Sequence, residues 1–517
     1  MVALCSLSTA AALILAAIIF SFFINTWNKS RKNLISIKLP PGPKKLPIIG
    51  NLHLITSPPF RCFTDLSKQY GPIMHLKLGE ADAVVVSSPE IAKQILKDQD
   101  PCVANRPQGV ALEIMWYNYI DIAFSPYGDY WRQMRKICIN ELLSPRMVRS
   151  FQSIRSDEAA RMVDSLHESS GRVVNLTEKI FSFTSSITCR AAFGGVCKDK
   201  GTLIKVMMDT LKMAGGFEIA DFFPNSRIVS ALSWTKIRLK MMRRKLDFIL
   251  DDVIDEHKAN LAEKFGVDIA SGGRLGNGEY GGEDLIDVLL RMKEGEELKF
   301  PIGNDNIKAV LYDIFSAGTE TSSTAIDWTM VELMRNPKVM ARAQAEVRHI
   351  LKEGTSTSRV EQNDELKYLK LVIKESLRLH PPVPLLPRAS RVTCQVNGYT
   401  IPDKVRVMVN VWAMHRDPRF WKDPEEFEPE RFENEDVDFI GGDIHYLPFG
   451  VGRRMCPGIM FGLATVEQAI AQLLYHFDWR LPEDVRARDL DMIENDGLTS
   501  VRKDNLFVIA TPYHPSI

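Results

Sequence analysis

The stretch that most narrows what this 517-residue chain can become is Phe449-Gly450-Val451-Gly452-Arg453-Arg454-Met455-Cys456-Pro457-Gly458, followed at once by an apolar helical pattern that runs to His476. Two glycines ahead of the cysteine permit a tight turn with close backbone approach. The start of a helix adds free N–H groups and a positive dipole end, which favour a thiolate over a thiol. A thiolate held this way is a metal ligand or a nucleophile. As a nucleophile it wants a histidine base, and its own segment offers only His445, eleven residues back. The other cysteines (Cys5, Cys62, Cys102, Cys138, Cys189, Cys197 and Cys394) form no CxxC pair. A disulfide framework or a zinc ribbon is therefore a poor reading, and small apolar fillers in reducing surroundings a better one.

The opposite end constrains location. Val2 to Ile24 carries no charge and is built mostly from Ala, Leu, Ile and Phe; at about 1.5 Å per residue it reaches roughly 35 Å, enough to cross a hydrocarbon core of about 30 Å. The stretch exceeds a cleaved signal core, no basic segment precedes it, and bulky Phe20, Phe22 and Phe23 stand where small residues would mark a cleavage site. An uncleaved anchor over residues 1–28 is expected. Lys29, Arg31, Lys32 and Lys38 follow, which places the remainder on the cytosolic side. Leu39-Pro40-Pro41-Gly42-Pro43 cannot be helical and reads as a stiff spacer within a basic, proline-rich hinge over 29–50.

Beyond residue 50, Ile73 to Leu78 and Ala83 to Val86 read as a hairpin, followed by a helix capped by Ser88 with Pro89 at its first position. Short extended runs recur at Cys394 to Val396, Val405 to Val409 and Leu506 to Ala510. Helical patterns cover Asp157 to His167, Trp234 to Lys264, Asn306 to Arg335, Pro337 to Leu351, Glu365 to Leu379 and Gly458 to His476. The Gly-rich stretch Gly266 to Gly282 lacks GxxxxGK[ST] and reads as a surface loop. With 65 basic against 65 acidic residues and 45% hydrophobic residues, the chain is an ordinary folded protein, and no cationic excess argues for nucleic acid. Length alone suggests about three domains.

Set beside its neighbours, the cysteine segment becomes specific. FxxGxRxCxG, complete at Phe449, Gly452, Arg454, Cys456 and Gly458, resembles the haem-binding segment of the cytochrome P450 superfamily. Glu375-Ser376-Leu377-Arg378 resembles its ExxR motif, in which residues three apart share a helix face, and Pro429-Glu430-Arg431-Phe432 its PERF segment. Ala317-Gly318-Thr319-Glu320-Thr321-Ser322 resembles its oxygen-activation segment; an acid beside a hydroxyl in an apolar helix is costly to bury unless used. Leu39 to Pro43, Pro47-Ile48-Ile49-Gly50-Asn51, and Trp412-Ala413 with Arg416-Asp417-Pro418 are similar to the microsomal plant A-type group, especially its family seventy-one.

The resemblance spans essentially the whole chain. It implies one large catalytic domain over 51–517, mainly α with a small β-sheet region in the cytochrome P450 fold, behind a single-pass transmembrane helix in the endoplasmic reticulum membrane. It implies haem b with Cys456 as thiolate ligand, Phe449 beside the sulfur, and Gly458 letting the next helix sit close to the ring. Trp131, Arg135, Arg388 and Arg454 become partners for the haem propionates, and Glu375, Arg378 and Arg431 a structural triad. Thr321 and Glu320 become the residues that hydrogen-bond bound dioxygen and deliver protons.

No strand-GxGxxG-helix unit is present, so electrons from NADPH must come through a partner, by resemblance the membrane-bound NADPH-cytochrome P450 reductase, with Arg132, Lys136 and Arg453 as candidate docking charges. Family-like substrate segments fall at Gln108 to Ile122, Ile314 to Ala317, Val383 to Leu386 and Gly497 to Ser500. Leu112, Met115, Ile314, Phe315, Ala317, Val383, Leu385 and Leu498 are the substrate candidates and imply a small hydrophobic molecule. Trp116, Tyr117 and Tyr119, with Glu113 and Asp121, leave a cationic indole alkaloid open beside a terpenoid or a phenolic. Two alternatives stand beside the monooxygenase: a reductase-independent haem-thiolate isomerase or dehydratase, and a haem protein that binds ligands without turnover.

Deleting residues 1–28 is expected to move much of the protein from the membrane pellet to the soluble fraction, with the haem absorption spectrum retained. A truncated chain that stays wholly in the pellet refutes the anchor.

Overall fold

A computed structural model of the chain describes residues 38–514 other than 57, 195–198, 216–218, 225, 227–233, 266–282, 296–297, 352–359, 361–363, 434–436 and 440. The expected anchor and the stretch Gly266 to Gly282 lie outside the described residues, among which no helix is long and apolar enough to cross a membrane. The described part of the expected spacer lies flat on the globule. His75 N donates to Pro41 O at 2.8 Å, and Asn51 Nδ2 donates to Lys44 O at 3.0 Å. A Cβ on Gly42 would fall 2.1 Å from the His75 carbonyl oxygen, so glycine is required for that approach.

Among the described residues there are nine strands: β1 (Ile73–Leu78), β2 (Ala81–Val86), β3 (Val173–Asn175), β4 (Leu385–Ala389), β5 (Cys394–Val396), β6 (Tyr399–Ile401), β7 (Arg406–Asn410), β8 (Phe477–Arg480) and β9 (Phe507–Pro512). The largest sheet has the order β1-β2-β7-β4, with β1/β2 and β4/β7 antiparallel and β2/β7 parallel. The expected hairpin starts its second strand two residues earlier than the apolar run, at Ala81. Pro387 hid β4 from the sequence pattern; proline is tolerated there because β4 is an edge strand.

The helical expectations hold with small boundary shifts: Gln152–His167, Trp234–Phe265, Asn304–Arg335, Pro337–Ile350, Lys367–Leu379 and Ile459–His476. Leu176–Phe193 was not foreseen, because Phe181-Ser182-Phe183-Thr184-Ser185-Ser186 lacks helix-favouring residues. Its hydroxyls donate back into their own helix, Thr184 Oγ1 to Phe181 O at 3.2 Å and Thr188 Oγ1 to Thr184 O at 2.9 Å. Small side chains then let it lie close against Asn304–Arg335, the central helix.

That central helix is buried on nearly every side, against Leu176–Phe193, Ile459–His476 and Lys367–Leu379. Its charged residues therefore need partners. Lys308 meets Asp251 at 3.0 Å, Asp327 accepts from Thr177 Oγ1 at 2.7 Å, and Glu332 meets His380 at 2.7 Å.

Behind the cysteine segment, Glu375 and Arg378 are both fully buried one helical turn apart, joined by two bonds of 2.7 and 2.9 Å. Arg431 Nε adds a third bond to Glu375 at 3.0 Å, and Glu428 N a fourth at 2.9 Å. Arg378 also donates to the carbonyls of His415, Pro424 and Glu426. Every charge in the triad is thus met, the condition under which burial of an ion pair is tolerated. Arg378→Met removes two of the four bonds to the buried Glu375 carboxylate and its nearest counter-charge. The expected loss is about 3–5 kcal/mol in denaturant unfolding, and a change within error of zero refutes the triad's structural role.

Candidate active site

The cysteine segment forms a turn closed by Cys456 N donating to Phe449 O at 3.0 Å, with Gly450 and Gly452 at φ 72° and 76°. Gly452 is forced by space as well as by dihedral, since a Cβ there would sit 2.6 Å from Leu96 O and 2.9 Å from Asp100 Oδ1. Gly458 differs. Its backbone is ordinary, and a Cβ would make only van der Waals contacts, 3.7 Å to Leu143 and 4.0 Å to the Cys456 sulfur. What that Cβ would occupy is the space above the sulfur.

That space is a cavity of about 320 Å³. Cys456, Phe449 and Gly458 line it, together with Ala317, Glu320 and Thr321 of the central helix. Burial pushes the Cys456 thiol up, opposed by the Gly458 N–H and by Arg135. The N–H at the helix start and the nearby Arg135 act in the direction expected from the sequence, and burial opposes them.

Four guanidiniums gather at the cavity: Arg106, Arg135, Arg388 and Arg454. Arg388 is 1% exposed, donates only long bonds of 3.3 Å to Pro387 O and Val451 O, and leaves Nε without a partner. Burial, then the charges of Arg106 and Arg454, hold it well below the ordinary arginine range. Burial likewise lowers Arg454 to about 9 and Arg106 to about 10. The carboxyl groups beside it, Asp121 and Asp313, are themselves pushed toward the neutral form, so positive charge is in excess. A flat ligand bearing carboxylates on the arginine side and a metal facing the Cys456 sulfur supplies the negative charge, so these residues fit haem.

A family model described as Cytochrome P450 matches residues 40–507. The chain belongs to the cytochrome P450 family. Premnaspirodiene oxygenase from Hyoscyamus muticus is 54% identical to it over 499 residues, 96% of this chain and 97% of that one. Cytochrome P450 71D7 from Solanum chacoense is 53% identical over 502 residues, covering 96% and 98%. For 5-epiaristolochene 1,3-dihydroxylase from Nicotiana tabacum the identity is 53% over 503 residues, covering 96% and 97%. Among solved structures, a zebra fish cytochrome P450 with abiraterone matches with a TM-score of 0.73 and 25% identity, over 89% of this chain and 100% of that one. The expected cytochrome P450 fold, membership among plant family-seventy-one-like proteins and monooxygenase class all stand, and with them the use of haem iron and dioxygen.

In this cytochrome P450 the residues singled out from sequence divide. Ile314, Ala317, Val383 and Leu498 line the cavity together with Arg135, Arg388, Arg454 and Trp131. Trp131, expected to donate to a propionate, instead donates Nε1 to Ile122 O at 3.0 Å and lies under Arg454 at 4.4 Å, holding that guanidinium in place. Phe315 turns away from the cavity, one helical step past Ile314, and packs on Phe193 with ring centroids 5.9 Å apart. Met115 is in the core. Leu112 lines a smaller recess that shares Phe124, Pro387 and Leu498 with the main cavity. Leu385 packs on the hairpin side of β4, and the period-two alternation sends Leu386 and Arg388 to the cavity instead. Gly318 serves helix contact as well as cavity space, since a Cβ there would press within 3.2 Å of Thr188.

Several participants escaped the sequence reading. Arg106 sits in Asn105-Arg106-Pro107, where a cation between a polar residue and a proline carries no motif. Asp313, on the central helix one turn before Ala317, accepts from Trp116 Nε1 at 2.7 Å, Ile122 N at 2.7 Å and Ala123 N at 3.1 Å. It ties the loop that bears Trp116, Ile122 and Phe124 to the helix that bears Thr321. Asp121 is fully buried, not water-facing, and accepts from Phe124 N at 2.6 Å. Burial and the neighbouring Asp313 keep Asp121 well above the usual carboxylate range, and burial pushes Asp313 to about 6. A lone aspartate in an apolar helix gave no signal that its partners lie almost two hundred residues away.

Cys456→Ala is expected to abolish the characteristic Soret band of the reduced carbon monoxide complex while far-ultraviolet circular dichroism keeps its helical shape. A variant retaining that band removes Cys456 as the ligand.

Proposed function

We propose that this cytochrome P450 is an endoplasmic-reticulum-anchored monooxygenase that takes NADPH electrons through a separate cytochrome P450 reductase and oxidises a terpenoid hydrocarbon. The observation that carries the reading is one mainly apolar cavity lined both by Cys456 and by the Glu320-Thr321 pair. Haem held by that sulfur supplies dioxygen activation, which a thiolate ligand favours.

The chain's own residues bind, orient and move protons. Arg135, Arg388 and Arg454, with Arg106, receive the carboxylates of the cofactor. Ile314, Ala317, Val383 and Leu498, with Leu386 and Phe124, offer shape and few polar atoms, so a hydrocarbon is oriented by fit. Neither carboxylate of the loop Gln108 to Ile122 is offered to a cationic ligand: Glu113 is exposed, and Asp121 is engaged with Phe124 N beside Asp313. That favours a terpenoid over an alkaloid, in keeping with the relatives named for premnaspirodiene and 5-epiaristolochene.

Thr321 Oγ1 donates to Ala317 O at 2.6 Å in the resting arrangement, so its hydroxyl rotates toward the cavity to pass a proton on. Burial pushes Glu320 up to about 7, opposed by a hydrogen bond from Thr499 and by the charge of Lys212, which suits a group that alternately holds and releases a proton near neutrality. On the cysteine side, Arg453 already pairs with Asp100 at 2.8 Å, and Arg132 pairs with Asp129. Lys136 is exposed beside them and completes a mixed-charge rim for a reductase.

The test is reconstitution of the full chain with NADPH and a plant reductase on a panel of terpene hydrocarbons and indole alkaloids, with product analysis. NADPH- and reductase-dependent hydroxylated terpenes are expected; turnover of alkaloids alone, or turnover without NADPH, overturns the reading. Thr321→Ala is expected to keep haem yet divert reducing equivalents to peroxide, lowering product per NADPH roughly tenfold or more. Unchanged coupling removes Thr321 from proton transfer.

A further inference from the structure

The acid of the oxygen-side pair is held from an unexpected quarter. Glu320 is 5% exposed, and Thr499 Oγ1 donates to its Oε2 at 2.7 Å. Thr321 offers Glu320 no such bond, because its own hydroxyl is turned to Ala317 O. The remaining groups that face the carboxyl are Lys212, on the helix Lys200–Met213, and the phenol of Tyr312 on the central helix itself.

Thr499 sits in a turn whose three consecutive residues do three different things. Leu498 lines the cavity. Ser500 is fixed to the frame, its N donating to Pro382 O at 2.9 Å, its hydroxyl to Pro381 O at 2.7 Å, and its carbonyl accepting from Trp328 Nε1 at 2.8 Å. Between the residue that meets the cavity and the residue bonded to the scaffold, the Thr499 hydroxyl is presented to Glu320 with little freedom.

We propose that Thr499 is a positioning residue for proton delivery, its hydroxyl setting both the direction in which the Glu320 carboxyl points and the ease with which that carboxyl gives up its proton. The inference rests on the reading of Glu320 as a proton carrier. A hydroxyl that donates to a carboxylate favours the charged form, whereas burial favours the neutral one. Removing the hydroxyl leaves burial less opposed, so Glu320 holds its proton to higher pH and swings without its tether.

The experiment uses the haem-loaded full chain in detergent, with two readouts. The first is the carboxyl C=O stretch of Glu320 in infrared difference spectra across pH, assigned by its loss in Glu320→Gln and independent of turnover. The second is product formed per NADPH, with peroxide release. Wild type is expected to titrate near the value of about 7 that burial gives Glu320. Thr499→Val is expected to move that midpoint upward by roughly one pH unit and to raise peroxide release several-fold, while Thr499→Ser restores both. Retention of the carbon monoxide spectrum in each variant shows that the site has folded. Wild-type midpoint and coupling in Thr499→Val overturn the proposal, as does failure of Thr499→Ser to rescue. The two ideas separate cleanly. If Glu320→Gln leaves coupling and its pH profile intact, Glu320 is no proton carrier and the proposal falls with that reading; if Glu320→Gln uncouples while Thr499→Val does not, only the role of Thr499 fails.

Discussion

The buried bonds of Glu375 to Arg378 and Arg431 are the constraint on which the rest of the molecule depends. Two of the three side chains are wholly sealed from water, and the energetic cost of burying their charges is offset only because each donor and acceptor finds a partner. Those partners are backbone carbonyls of His415, Lys422, Pro424 and Glu426, so the ion pair fixes the course of a long irregular segment that no regular ladder would hold. His415 passes the constraint on. Its Nδ1–H donates to Arg378 O at 3.0 Å and its Nε2 accepts from Leu447 N at 2.8 Å, an arrangement that requires neutral imidazole; burial, helped by the charges of Arg378 and Arg416, lowers it to about 3. Leu447 lies two residues before Phe449, where the cysteine turn begins. A charge network on one helix is thereby linked to the turn that carries the Cys456 sulfur, just ahead of another helix.

At the front of the same turn the charges are less well balanced. Arginines at the cavity are crowded, buried and short of counter-charge, and the Cys456 thiol is pushed up by its own burial. Both penalties are relieved by one occupant that brings a cation to the sulfur and carboxylates to the guanidiniums. Binding of such an occupant would therefore stabilise the fold. The protein has concentrated its unfavourable electrostatics where the cofactor goes.

The cavity is defined by long-range ties of a different kind. Asp313 fastens the loop carrying Trp116 and Ile122, and Thr499 reaches Glu320 from the far end of the chain. Both acids stand on the central helix within two turns of each other, both are raised by burial, and both hold a cavity-lining segment through a hydrogen bond. The shape of the cavity thus rests on polar bonds placed beside its apolar lining.

Much of this was legible in the chain itself. Contiguous motifs carry their own geometry: two glycines before a cysteine, an acid and an arginine three residues apart, an acid beside a threonine in an apolar helix. Each depends on neighbours within a turn or two, and the structure puts all of them around one cavity or directly behind it. Helices with clear apolar periodicity were placed to within a few residues, whereas Leu176–Phe193 and β4 were missed because serine, threonine and proline give the wrong local signal and only packing overrides it. What the sequence determined alone is the chemistry available, namely a cysteine after two glycines at a helix start, an acid-hydroxyl pair and candidate arginines at Arg135, Arg388 and Arg454. Which residues face the cavity was decided by the tertiary structure: Ile314 rather than Phe315, Leu386 rather than Leu385, and Thr499 as the partner of Glu320. The physical reason is that facing depends on the rotation of a helix and the pleat of a strand against neighbours hundreds of residues away, and apolar character is the same whether a side chain meets the cavity or the core.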